Sequence, residues 1–256
     1  MAAIICRGLV KSFGANRVLD GLDFEVEAGT VFGYIGANGA GKTTTVKVLT
    51  GMQSVFEGEV LINGIDVSED PRGVKECIGY VAENAILYDG LTAWEYVQLI
   101  GRLRRMDEKL IERRGGELLE ILDLSARMHN RLSTFSKGMR QKVMLTCALI
   151  HNPELLFLDE PLSGLDVETT IFVKELIAAL SREGRTIFYC SHMMDVVERV
   201  CDRIVILSEG KIVADGSFAE LSARSEEASL EGLFSAVTGA RSADGRVNDL
   251  LSCLRG

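Results

Sequence analysis

The segment Gly36-Ala37-Asn38-Gly39-Ala40-Gly41-Lys42-Thr43 matches G-x-x-x-x-G-K-[ST], and it stands between an apolar run, Val31–Ile35, and a stretch with helical spacing, Lys42–Leu49. That order of parts restricts the fold severely. A strand must deliver the chain to a turn that glycines make tight, and a helix must leave with its first backbone amides facing back over the turn. Such a loop is built for phosphate. Successive N–H groups point inward, the helix terminus adds positive potential, Lys42 brings a full charge, and the Thr43 hydroxyl suits a magnesium ion. The expected ligand is a triphosphate with Mg2+, held by Asn38, Gly39, Ala40, Gly41, Lys42, Thr43 and Thr44.

Apolar, β-rich runs at Ile4–Val10, Val18–Val26, Val31–Ile35, Val60–Ile62 and Ile78–Val81, punctuated by Gly, Asn and Asp, predict strands in the first third. From about Thr92 to Ile150 apolar residues recur every three or four positions, which predicts a helical insert. Strand signals return at Leu155–Leu158, Thr186–Cys190 and Arg203–Leu207, alternating with helical stretches at Val167–Leu180 and Met193–Val200. This alternation predicts a mostly parallel, helix-covered sheet, an α/β fold whose strand-rich parts bracket the insert. After Lys211–Asp215, an amphipathic stretch at Leu230–Val237 leads into a polar tail from about Gly239, expected to fray.

Charge and composition remove several classes of function. Against 28 Lys and Arg stand 37 Asp and Glu, a net charge of −9, so the averaged field repels nucleic acid and anionic lipid. No apolar stretch reaches the ~20 residues that span a bilayer, and Arg7 cuts short the run Ala2–Cys6, so a cytosolic protein is expected. Cys6, Cys77, Cys147, Cys190, Cys201 and Cys253 are scattered without a C-x-x-C pair, the pattern of buried reduced thiols.

The run Leu155–Leu158 ends abruptly in Asp159-Glu160. Carboxylates at the C-terminal edge of a parallel sheet sit where ligands bind. Asp159 is expected to hold the magnesium ion. Neighbouring strand residues point in opposite directions, so Glu160 is the better candidate to polarise an attacking water. His192, just past Thr186–Cys190, reaches the same edge to touch a γ-phosphate or position that water.

With these residues in view, the chain resembles the nucleotide-binding subunit of an ATP-binding cassette (ABC) transporter. The deciding segment is Phe135-Ser136-Lys137-Gly138-Met139-Arg140-Gln141, similar to the family signature L-S-G-G-Q. The resemblance runs from about Ile4 to Gly216. It implies a P-loop ATPase core with an N-terminal antiparallel β subdomain and an inserted helical subdomain at about 86–150, the whole cassette spanning 1–216. Residues 217–256 then form a short C-terminal helical extension and polar tail. Ser136 and Gly138 would hold the γ-phosphate of a nucleotide on a second, head-to-tail subunit, so that two ATP molecules are sandwiched in a homodimer. Asp166, in Ser163-Gly164-Leu165-Asp166, resembles the loop crossing that seam, Phe13 the aromatic that stacks on adenine, and Ser191-His192 the switch histidine.

Glu83, the S-K-G-M form of the signature, Cys201-Asp202-Arg203 and the ending Ser229–Phe234 most resemble the drug-, antibiotic- and sodium-efflux branch. Membership there implies a separately encoded transmembrane permease and residence at the inner face of the cell membrane through it, with no nucleic-acid partner. Ala37 stands where the family commonly has proline, Lys137 and Met139 where it has Gly and Gln, and Glu83 where it has a glutamine that meets magnesium. The permease is expected to dock a short helix near Glu83 to Tyr96, on Ile86, Leu87, Tyr88, Leu91 and Trp94. Ribosome- or DNA-directed relatives generally carry two cassettes or a long coiled-coil insertion, neither of which is present, and a guanine-reading N-K-x-D is likewise missing.

Overall fold

The computed structural model describes residues 1–84, 86–225, 227–239 and 253–254. The chain opens with a hairpin, β1 (Ala2–Phe13) and β2 (Asn16–Glu27), longer at both ends than the apolar runs predict. Exposed and buried residues alternate from Gly21 to Glu27 in β2, while register shifts at Cys6–Val10 interrupt the period in β1. β3 (Val31–Gly36) is buried at every residue and leads into α1 (Lys42–Leu49). β4 (Glu57–Ile62) and the two-residue β5 (Ile65–Asp66) complete an antiparallel sheet of order β2-β1-β4-β5.

The α2 helix (Pro71–Cys77) is absent from the sequence expectation. Its signal was local: Asp70 accepts from the Gly73 amide and Pro71 occupies the first turn. β6 (Ile78–Val81) follows. The predicted helical stretch resolves into α3 (Ala93–Leu103), α4 (Glu108–Ile121) and α5 (Lys137–Leu149), with single-turn helices at Ser125–Arg127 and Leu132–Thr134 between the last two. Thr92 and Glu95 exchange side-chain and backbone bonds at 3.1 and 2.8 Å, a capping box that stops α3 from running back toward Glu83.

The remaining elements are β7 (Leu155–Asp159), α6 (Val167–Arg182), β8 (Thr186–Cys190), α7 (Met194–Val200), β9 (Arg203–Ser208), β10 (Lys211–Gly216), α8 (Phe218–Ser225) and α9 (Leu230–Thr238). The second sheet runs β10-β9-β3-β8-β7-β6, parallel except for β10 against β9. β3 therefore sits inside it and delivers its loop to the carboxyl edge, beside the ends of β7 and β8. The polar tail expected to fray lies, apart from Gly239 and residues 253–254, outside the described residues.

Alternation along β3 assigns its two faces. Phe32 and Tyr34 join Phe24 of β2, Phe188 of β8 and Phe157 of β7 in one aromatic cluster, with Phe188 5.2–6.3 Å from four other rings. That cluster, with Val46 and Leu49 of α1, fastens the antiparallel sheet to the phosphate-loop side of the core. Val31 and Ile35 face the opposite layer, where Val173 and Ile177 of α6, Val196 and Val197 of α7, and Leu230 and Leu233 of α9 cover the sheet. A third core, built on Val97, Ile111, Leu119 and Val143, belongs to the helical insert. Among the described residues no helix is long and apolar enough to cross a membrane. The cysteines are free; Cys6, Cys147 and Cys190 are buried, but Cys253 is exposed, contrary to the expectation of buried thiols.

Candidate active site

Gly41 ends the phosphate loop at φ 112°, and a Cβ there would lie 2.6 Å from Leu19, so conformation and packing both demand glycine. The Ala40 amide donates to Ala37 O at 3.1 Å and Ala40 O accepts from the Gly210 amide at 3.1 Å, which pins the loop to the β9–β10 turn. Lys42 folds back through the loop, its Nζ donating to Gly36 O at 2.6 Å and Ala37 O at 3.2 Å. Among the described residues it has no carboxylate partner, so its charge is available to an anion.

A cavity of about 740 Å³ opens over this loop. Asn38, Gly39, Gly41, Lys42, Thr43 and Thr44 line one side, and Asp159 at the end of β7 converges on it with Glu83, Glu160 and His192 from the loops after β6, β7 and β8. Asp159 is only 2% exposed. Burial first, then repulsion from Glu160 and Glu83, pushes its carboxyl up to about 6, against the pull of Lys42 and Lys47. Crowded acids beside a phosphate loop suit a hard cation. The available donors, Thr43 hydroxyl with Asp159 and Glu83 carboxylates, are all oxygen, as Mg2+ prefers. Among the described residues no cluster of three or more His, Cys, Asp or Glu could hold a metal by itself. Such a cation fits here only together with ligand phosphate oxygens, its usual mode of binding.

Glu160 leaves β7 at φ 49°, a left-handed conformation costly for a residue with a Cβ. It is held by its neighbours: its amide donates to Cys190 O at 2.9 Å, and its Oε1 lies 2.8 Å from His192 Nδ1. The Ser191 hydroxyl donates to Glu160 Oε2 at 3.2 Å and itself accepts from the Met193 amide at 3.1 Å. The His192 side chain is 65% exposed, so its Nε2 remains available to a ligand.

Five predicted residues do not line this cavity. Phe13 is 48% exposed at the end of β1, with the buried Lys11 Nζ 4.6 Å from its ring centre and bonded to Val55 O at 2.5 Å. Ser136 accepts from the Met139 amide at 3.2 Å as the N-cap of α5, and Gly138 lies two residues on, against Gly164. Asp166 caps α6, accepting from the Thr169 amide and hydroxyl, each at 2.8 Å. Ala40 is buried beneath the loop. The sequence reading missed the bridging role of Ser191, and it missed Val18, Met194 and Phe234, apolar cavity-lining residues with no local motif to announce them.

A second hollow, about 680 Å³, lies between α2, β6, α3 and α5. Of the residues expected to receive a partner helix, Ile86 and Leu87 line it, together with Tyr80, Tyr96, Leu103 and Arg104. Trp94 does not; it packs into the core of the helical insert, and Leu91 also stays off the hollow's lining. Tyr88 is exposed, its ring 6.1 Å from that of Tyr96.

Residues 19–163 match the family model described as "ABC transporter". An uncharacterised ABC transporter ATP-binding protein of Nostoc sp. is 42% identical over 205 residues, 79% of this chain and 61% of that relative. The linearmycin resistance ATP-binding protein of Bacillus subtilis is 34% identical, covering 84% of this chain and 69% of that one. A solved "ATP binding subunit of ABC transporter" superposes with a TM-score of 0.87 at 32% identity, over 92% of this chain and 99% of that one. The chain spans about three fifths of the length of the first curated relatives it matches.

Proposed function

Because the chain belongs to the family of ABC transporter ATP-binding proteins, we propose that it binds Mg-ATP in the phosphate cavity and hydrolyses it to drive a separate membrane subunit. The observation that carries this reading is the convergence on one cavity of the Lys42 loop and a Glu160 carboxylate held by His192 and Ser191. Lys42 and the loop amides take up charge on the phosphates. Glu160 accepts the proton of the attacking water, and His192, oriented through Nδ1, presents Nε2 toward the γ-phosphate. Thr43, Asp159 and Glu83 would hold Mg2+, which when bound neutralises phosphate charge.

Two variants separate binding from turnover. Lys42→Ala is expected to lose tight ATP binding, whereas Glu160→Gln keeps parental affinity and loses ~100-fold or more in kcat, the scale of a general base. Phosphate release at the parental rate from Lys42→Ala would sink the reading.

On the same reading the subunit is one half of a head-to-tail homodimer. Ser136 and Gly138 meet the γ-phosphate bound by the second subunit, Asp166 stands at the seam, and Phe13 stacks on adenine. That Ser136, Gly138 and Asp166 lie off the chain's own phosphate cavity supports a second subunit as the source of the nucleotide they meet. The cassette comprises residues 1–216 with its helical subdomain at about 86–150, and 217–256 is an appended extension. A cytoplasmic helix of the permease docks in the hollow lined by Ile86, Leu87 and Tyr96, holding the subunit at the inner face of the membrane. The linearmycin resistance name of the Bacillus relative supports efflux of an antibiotic-like compound.

A further inference from the structure

The first two turns of α5 present Lys137, Gly138 and Gln141 to the segment that follows Glu160. Lys137 Nζ donates to Ser163 Oγ at 3.1 Å, and a Cβ on Gly138 would lie 3.6 Å from Gly164 O. Ser163 in turn donates its amide to Glu160 O at 3.1 Å. Gln141 completes this face. It is 0% exposed, and its Nε2 reaches Pro161 O at 3.5 Å and Ala82 O at 3.4 Å. Pro161 follows Glu160 directly, and Ala82 immediately precedes Glu83. One buried amide thus touches both loops that bring acids to the cavity, from the helix whose N-terminus is the signature segment.

The arrangement is poor value for stability alone. Both contacts sit at the long limit for a hydrogen bond, and Gln141 Oε1 has no partner among the described residues. A buried polar atom left unpaired destabilises the fold, and an apolar side chain of similar length would fill the space without that cost. A movement of only about half an ångström would bring both contacts to ordinary length.

We propose that Gln141 is a positioning residue that transmits the placement of α5 to Glu160 and Glu83, setting the rate of hydrolysis without contributing to nucleotide affinity. This rests on the reading of Glu160 as the group that activates water. An anion seated at the α5 N-terminus displaces the helix slightly along or about its axis; the amide carries that displacement to the two carbonyls and aligns Glu160.

The test uses the full chain with Gln141→Leu, and Gln141→Met as a second apolar replacement of different shape. Thermal unfolding, Mg-ATP affinity by titration calorimetry, and steady-state phosphate release are measured on parent and variants. The expected result is an unfolding midpoint equal to or above the parent's, Mg-ATP affinity within twofold, and kcat at least tenfold lower. Parental kcat in either folded variant overturns the proposal. So does a joint loss of stability, affinity and turnover, or failure of both variants to fold, since the amide would then be a structural element only. A parent that releases no phosphate overturns the hydrolytic reading, and this one with it. A hydrolysing parent matched by the variants overturns only the role of Gln141.

Discussion

Glu160 Oε1 lies 2.8 Å from His192 Nδ1, and that single contact joins the loop after β7 to the loop after β8 across the mouth of the phosphate cavity. The second carboxylate oxygen is held as well, by the Ser191 hydroxyl at 3.2 Å. With both oxygens engaged and the backbone at φ 49°, the carboxylate has little rotational freedom. Ser191→Ala removes one tether and leaves the other. The expected outcome is unchanged Mg-ATP affinity with kcat down about fivefold, the ~1 kcal/mol of one hydrogen bond. Equal kcat in steady-state phosphate release would mean that His192 alone orients Glu160.

A buried carboxyl and a half-buried imidazole give stability opposite slopes against pH. Asp159 titrates at about 6 in the fold against 3.8 for an ordinary carboxyl, for reasons of burial first and then Glu160 and Glu83. A raised carboxyl pKa means the fold favours the protonated form. That contribution is full below about pH 4 and is lost as pH rises through 6, up to about 3 kcal/mol in all. His151, whose Nε2 contacts Ile78 O at 3.0 Å, runs the other way. Burial, then Arg104, lowers it from 6.5 to about 4, so its contribution is full above pH 6.5 and is lost as pH falls toward 4. In EDTA, Asp159→Asn should therefore stabilise the protein at pH 7.5 and hardly at pH 4.5, while His151→Gln should do the reverse. Urea unfolding at the two pH values checks both; parallel curves for either variant and the parent contradict the assignment.

Glu83 is exposed on the cavity wall, close enough to Asp159 to raise its pKa. Glu83→Gln is expected to stay within about tenfold of parental turnover, ~1.4 kcal/mol in barrier, since amide and carboxylate oxygens can both approach a cation. Glu83→Ala should harm stimulation by the permease more than basal turnover. Phosphate release with and without the reconstituted partner discriminates; if Glu83→Ala equals the parent in both, Glu83 has no role at this site.

Lys11 is a buried cation compensated by one carbonyl and the face of Phe13. A cation over one face of a ring fixes its orientation for about 1 kcal/mol. If Phe13 stacks on adenine as proposed, Lys11→Met should weaken ATP binding roughly fivefold and leave tripolyphosphate binding unchanged, because tripolyphosphate has no base for the ring to meet. Parallel losses for both ligands, measured by calorimetry, would show instead that Lys11 supports the loop as a whole.

What the sequence made legible was whatever chemistry forces into a short span. The loop Gly36–Thr43 needs its glycines and lysine at fixed spacing, and the runs Val31–Gly36, Leu155–Asp159 and Thr186–Cys190 are apolar because both faces of those strands are covered. Asp159, Glu160 and His192 were readable as strand-end residues for the same reason. Contacts between distant segments were not. Ser191 matters through Glu160, thirty-one positions away, and Gln141 through Ala82, fifty-nine away, and neither pairing leaves a periodic trace. α2 was missed because its seven residues are too few for a helical period to emerge, though its cap was visible in Asp70-Pro71. Trp94 was assigned to the docking hollow on size and polarity alone, which do not distinguish a partner's surface from the chain's own core.

On the proposed reading, two such chains close on two ATP molecules, the signature segment of one completing the site of the other. Glu160→Gln should hold that closed state by binding ATP without consuming it. The direct measurement is its mass by light scattering in saturating Mg-ATP and again without nucleotide. The expected result is a dimer with ATP and a monomer without it, and loss of the dimer on a second substitution, Lys42→Ala. A Glu160→Gln protein that stays monomeric with nucleotide bound would contradict it.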